Sequence, residues 1–119
     1  MPKRILVLDD LPYLRDVQVL LLTEAGYVAT ALGSAREALA RLPAIAPDLI
    51  LLDVAMPGMD GRQFLVRLRE MPEWKRVPVI LTTGQSAHQL GRDAGCPVLA
   101  KPFTETELLD IVRRALDGG

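Results

Sequence analysis

Five short apolar runs recur along the chain, at Arg4 to Leu8, Tyr27 to Ala31, Asp48 to Leu52, Pro78 to Thr82 and Pro97 to Ala100. The segments between them carry apolar residues at helical spacing, so the pattern predicts a five-unit βα alternation. The first, third and fourth runs are apolar almost without interruption. Strands read that way when both faces of a parallel sheet are covered. Helices are therefore expected on both sides.

The helix boundaries have local signals. Pro12 suits a first turn and Gly26 a stop, with Leu14, Val17, Leu21 and Ala25 on one face between them. Ser34 and Glu37 read as a capping box opening a second helix, which Pro43 is expected to end. Asp60 can cap a third, with Phe64, Leu68 and Met71 as its buried stripe. Thr104 and Glu107 form another capping box, and Leu108, Val112, Ala115 and Leu116 face inward from the last helix until Gly118. Arg113 and Arg114 sit where that helix's dipole favours cations. A fourth helix between Gln85 and Gly95 is expected to be short or irregular, because Gly91 interrupts it and few of its residues are apolar.

Composition narrows the setting. At 119 residues and 50% hydrophobic content, the chain fits one domain, residues 1–119, with a single core. Fourteen basic against fifteen acidic residues leave a formal net charge of -1, so no global positive field draws it to nucleic acid or an anionic membrane. The one cysteine, Cys96, cannot form an internal disulfide, and no apolar run approaches the roughly 20 residues of a membrane span. The N-terminus has no apolar region long enough for a signal peptide, and a cytoplasmic location is expected.

Ligands of an open parallel sheet bind outside the carboxyl ends of its strands, where the winding reverses. The residues that matter are those at strand ends: Asp9 and Asp10, Asp53, Thr82 and Thr83, and Lys101 before Pro102. Three converging carboxylates raise one another's pKa unless a cation accompanies them, and an oxygen-only cluster suits Mg²⁺. Lys101 can neutralise the remainder. Asp53 alone could merely cap the turn after its strand, Asp9 and Asp10 could be solvated loop acids, and Lys101 a surface lysine. Their joint placement at strand ends favours a site. His88 reads as an exposed polar residue, Cys96 as a small packing residue and Trp74 as a partly buried loop anchor.

Four segments in order, "ILVLDD", "DLILLDVAMPGMDG", "VPVILTTG" and "KPF", resemble the receiver domain of bacterial response regulators over Lys3 to Leu116. The resemblance implies a flavodoxin-like (βα)₅ receiver fold with a doubly wound, five-stranded parallel sheet. It implies that Asp53 is the phosphoacceptor, attacking a phosphohistidine on a histidine kinase or phosphotransfer protein. Asp10 would bind Mg²⁺ directly, Asp9 mainly through water, and Asp53 and the backbone carbonyl of Ala55 would supply further oxygens. Lys101 would pair with a phosphoryl oxygen, Thr83 would hydrogen-bond another, and the Lys101–Pro102 bond would be cis. A downstream target would be engaged through the face of the fourth helix, fifth strand and fifth helix.

Departures from the family pattern also stand out. Leu11 follows the acid pair where many members carry an acid or polar residue. Ala55 and Gln85, each two residues beyond a site residue, occupy positions that bear on phosphate lifetime. Val98 replaces the usual aromatic residue of the fifth strand, and the interval from Thr83 to Lys101 is short for the family. The expected function is a signalling switch, not an enzyme with a free substrate. Two other readings share parts of the pattern: an unphosphorylated pseudo-receiver that binds protein, and a Mg²⁺-dependent phosphohydrolase with an Asp nucleophile. The complete acid, hydroxyl and lysine set argues against the first. Ala55, where such hydrolases carry a general acid, argues against the second.

Overall fold

The computed structural model describes residues 1–84 and 95–118. The strands are β1 (Arg4–Leu8), β2 (Val28–Leu32), β3 (Leu49–Asp53), β4 (Val79–Thr83) and β5 (Val98–Ala100). The helices are α1 (Pro12–Glu24), α2 (Ala35–Ile45), α3 (Gly61–Glu70) and a C-terminal helix (Glu105–Asp117). The helix expected from Gln85 to Gly95, with Gln85, His88 and Gly91, lies outside the described residues except for Gly95.

All strands are parallel, in the order β2-β1-β3-β4-β5. Winding runs outward from β1 to β2 and then reverses to β3, so the switch point lies between β1 and β3. The continuously apolar strands are the inner ones: every residue of β3 and β4 is buried, and all of β1 except Arg4. Alternate side chains divide between two cores. Leu6, Leu8, Ile50, Leu52 and Leu81 meet α2 and α3 through Leu42, Phe64 and Leu68. Ile5, Val7, Leu49, Leu51 and Ile80 meet α1 and the C-terminal helix through Leu22, Leu108 and Val112. Among the described residues, two helices cover each face, as the apolar runs required.

The caps form where the sequence places them, with one partial exception. Asp60 and Thr104 each accept a hydrogen bond from the backbone three residues on, and the side chains of Gln63 and Glu107 close both boxes. At α2 only half of the box forms. The Glu37 N–H donates to Ser34 Oγ at 3.3 Å, while the Glu37 carboxylate turns to Arg41 at 3.4 Å. At its far end α2 overrides the expected stop and runs through Pro43 to Ile45. Proline inside a helix costs about 3 kcal/mol. Burial of Ile45 offsets much of it at roughly 1.5–3 kcal/mol. The Ala46 N–H still reaches the Leu42 carbonyl at 2.8 Å, and the helix ends there at a left-handed φ of 48°.

Helix α1 faces the sheet with a different stripe from the one expected. Gln18 and Leu22 are fully buried, Leu14, Val17 and Leu21 are half-buried, and Ala25 is exposed. A polar side chain takes a core position here because it has a carboxylate to bond.

Candidate functional site

Parallel register brings the strand ends together. Leu8 pairs with Leu52 and Asp53 with Thr82, so Asp9, immediately after β1, lies beside Asp53 at the end of β3. Thr83 pairs with Ala100, and the Lys101 N–H donates to the Thr83 carbonyl at 2.8 Å, which starts the Lys101 side chain at the same edge. The Lys101–Pro102 peptide bond is cis. Beyond β3, Met56 turns back into the core and holds the following loop, while Ala55 faces solvent.

Asp9, Asp10 and Asp53 each place a carboxylate oxygen within 4.8 Å of the other two. The Lys101 ammonium bridges two of them, 2.9 Å from Asp9 Oδ2 and 3.4 Å from Asp53 Oδ2. Asp9 is the more fully engaged. Its Oδ1 accepts the Leu11 N–H at 3.0 Å, and Gln18 Nε2 lies 3.4 Å from its Oδ2. Among the described residues, Asp53 Oδ1 accepts the Ala55 N–H alone, at 3.2 Å. Asp10 is partly exposed. Thr82 and Thr83 are both buried, Thr83 at the last position of β4.

Two residues that sequence reasoning missed support Asp9. Gln18 also donates to the Leu14 carbonyl at 3.0 Å, which fixes its amide, and Arg15 donates to the Asp9 backbone carbonyl at 2.8 Å. Gln18 had a signal, since it is the polar member of the i, i+4 series Leu14, Gln18, Leu22. Arg15 had none.

Burial raises the Asp53 carboxyl above its ordinary value. The Lys101 ammonium lowers it, the Asp9 carboxylate raises it again, the Ala55 N–H lowers it, and the net direction is upward. A folded pKa above the unfolded one means that the native state holds the proton more tightly. Stability attributable to this group is therefore lost as pH rises from the ordinary value of 3.8 through the raised one. In metal-free protein Asp53→Asn, which cannot ionise, is expected to exceed the parent in stability at neutral pH by on the order of 1 kcal/mol. The gap should narrow on acidification through that window. Thermal melts in EDTA at several pH values check this, and a less stable Asn variant at neutral pH would show that the ionised carboxylate is a net stabiliser.

The cluster fits a hard divalent cation. Oxygens around an octahedral Mg²⁺ at about 2.0–2.1 Å lie roughly 3–4 Å apart, and the three carboxylates already place an oxygen within 4.8 Å of one another. The donors are all oxygen, and Asp10 gives the group access to water.

A model of the response regulator receiver domain matches residues 5–113. The chain is 36% identical over 120 residues to response regulator Rre1 of Synechocystis, spanning 97% of this chain but 52% of that protein. It is 34% identical over 116 residues to protein Rrf1 of Nitratidesulfovibrio vulgaris, spanning 98% and 84% of the two. Its fold is similar to that of chemotaxis protein CheY4 of Vibrio cholerae, with a TM-score of 0.90 at 31% identity over 98% of this chain and 100% of that one. A response regulator structure from Chloroflexus aurantiacus gives a TM-score of 0.91 at 33% identity, covering 98% and 99%. Sequence match, strand order and the strand-end acids with their lysine agree: the chain belongs to the receiver-domain family of two-component response regulators.

Proposed function

We propose that this receiver is a phosphorylatable switch in which Asp53 accepts a phosphoryl group from the phosphohistidine of a kinase or phosphotransfer protein. The observation that carries the reading is the asymmetry between the two buried acids. Both oxygens of Asp9 are engaged, whereas Asp53 has one oxygen held by a backbone N–H and the other only loosely paired with Lys101. Asp53, held at 3.2 and 3.4 Å against 3.0 and 2.9 Å for Asp9, is the less tightly held carboxylate and the one more readily released to attack. Its oxygen forms a bond to phosphorus as the bond from phosphorus to the partner's imidazole nitrogen breaks, and the electron pair of that bond stays on the ring.

Asp10 directly, Asp9 mainly through water, and Asp53 with the Ala55 carbonyl would hold Mg²⁺, which supplies neutralising charge to the transferring group. A water-mediated role for Asp9 agrees with its oxygens being occupied. Lys101 would exchange its long contact with Asp53 for a phosphoryl oxygen while keeping Asp9, acting as a point charge. Thr83 would hydrogen-bond another phosphoryl oxygen. A downstream target would then read the face around β5 and the C-terminal helix. Val98, half-buried against the core and stiff at χ1, cannot act as the swinging aromatic lever of other receivers. The role is signalling rather than turnover of a free substrate, since exposed Ala55 offers no general acid for hydrolysis.

The metal assignment has its own test. Asp10→Ala removes a direct ligand and is expected to weaken Mg²⁺ binding by about tenfold or more. Isothermal titration of the variant checks it, and an unchanged affinity would remove Asp10 from the site.

A further inference from the structure

At the other end of the sheet, beside the amino ends of β4 and β5, lies a shallow cavity of about 530 Å³, open to solvent. The five residues of β4, at about 3.3 Å each, put it some 15 Å from Asp53. Arg69, Lys75, Arg76 and Arg114 line it, and among the described residues no carboxylate does. Four cations at one place are not a by-product of overall basicity, because the chain carries a formal net charge of -1.

The cations have different duties. Arg69 Nη1 donates to the carbonyls of Trp74, Lys75 and Val77 at 3.4, 3.0 and 2.8 Å, which holds the connection between α3 and β4 as a formed wall. Arg114, across the cavity on the C-terminal helix, keeps one nitrogen 2.9 Å from Asp110 Oδ2. Lys75 and Arg76 are exposed, and among the described residues neither has a carboxylate partner. Between these walls the surface is apolar, formed by Pro78, Pro97 and Ala115.

We propose that this cavity binds an organic phosphate of mononucleotide size, with the phosphate on Lys75 and Arg76 and the flat ring against the apolar floor. A cavity of this volume lies in the range of roughly 300–1,000 Å³ typical of small-molecule sites. Inorganic phosphate would leave most of it empty and the floor unused. Arginine favours such a ligand twice, by planar pairing with phosphate oxygens and by stacking on a ring. The site is independent of the acid cluster and of phosphorylation.

Titration of the chain with AMP, inorganic phosphate and adenosine, all in EDTA so that the acid cluster takes no metal, tests the proposal. AMP should bind at least about tenfold more tightly than either fragment, and Lys75→Gln and Arg76→Gln should each weaken it by about tenfold. Cys96 is the chain's one cysteine and lines the same cavity. Saturating AMP should therefore slow its alkylation, while labelling of Asp53 by a phosphodonor stays unchanged in both variants. AMP binding no better than phosphate, affinity indifferent to the two substitutions, or a Cys96 alkylation rate untouched by AMP would each overturn the site.

Discussion

Asp53→Asn is expected to reduce phosphoryl incorporation from acetyl phosphate and Mg²⁺ to background, while the parent gains one phosphoryl group per chain. The size of the effect follows from the geometry, since among the described residues no neighbouring acid is placed to take over. Asp9 is 1% exposed, with Lys101 at 2.9 Å on one oxygen and the Leu11 N–H at 3.0 Å on the other. Attack by Asp9 would require breaking a buried ion pair and leaving Lys101 uncompensated, which is costly in a low-dielectric site. Asp10 is partly exposed, and unlike Asp53 it makes no ion pair, among the described residues, with Lys101, the cation proposed to receive the phosphoryl oxygen. Asparagine keeps the shape of Asp53 and can still accept the Ala55 N–H, so the variant should fold. Intact-protein mass spectrometry followed by peptide mapping reads the outcome directly. Undiminished labelling in Asp53→Asn would move the nucleophile to another carboxylate and with it the whole assignment of roles.

The second large effect is expected at Gly61, the first residue of α3. Its N–H donates to the Val54 carbonyl at 3.0 Å, and a Cβ built on it would lie 2.6 Å from the Asp53 carbonyl oxygen and 2.8 Å from Val54 Cα. Both are backbone atoms of the segment that positions Asp53, so no side chain can swing away to make room. Gly61→Ala should therefore cost about 1–3 kcal/mol as overpacking. It should also slow phosphorylation, because relief of the clash displaces Asp53 itself. Gly58 is the control. It adopts a φ of 77°, but among the described residues a Cβ there would meet nothing within 4 Å. Gly58→Ala should cost only the roughly 1–2 kcal/mol of a left-handed non-glycine residue and leave the labelling rate near that of the parent. Chemical denaturation and labelling kinetics on both variants separate the two cases. Equal labelling rates would mean that close approach at Gly61 does not control Asp53.

The alternation of strands and helices is legible in the residues alone, because periods of 2 and 3.6 and uninterrupted apolar runs are local properties of the chain. So is the set of residues at strand ends, and hence that Asp9, Asp10, Asp53, Thr83 and Lys101 share one edge, because parallel strands all deliver their carboxyl ends to the same side. Tertiary structure decided what local signals could not weigh. Pro43 reads as a stop, yet burial of Ile45 beyond it carries α2 onward. Gln18 interrupts an apolar stripe, yet its amide is buried 3.4 Å from Asp9. Which acid holds Lys101 more closely, 2.9 Å to Asp9 against 3.4 Å to Asp53, depends on the register of β1, β3 and β5 together. The basic cavity draws on Arg69 and Arg114, which no spacing rule relates, because only the packing of α3 and the C-terminal helix on opposite faces of the sheet brings their ends to a common edge.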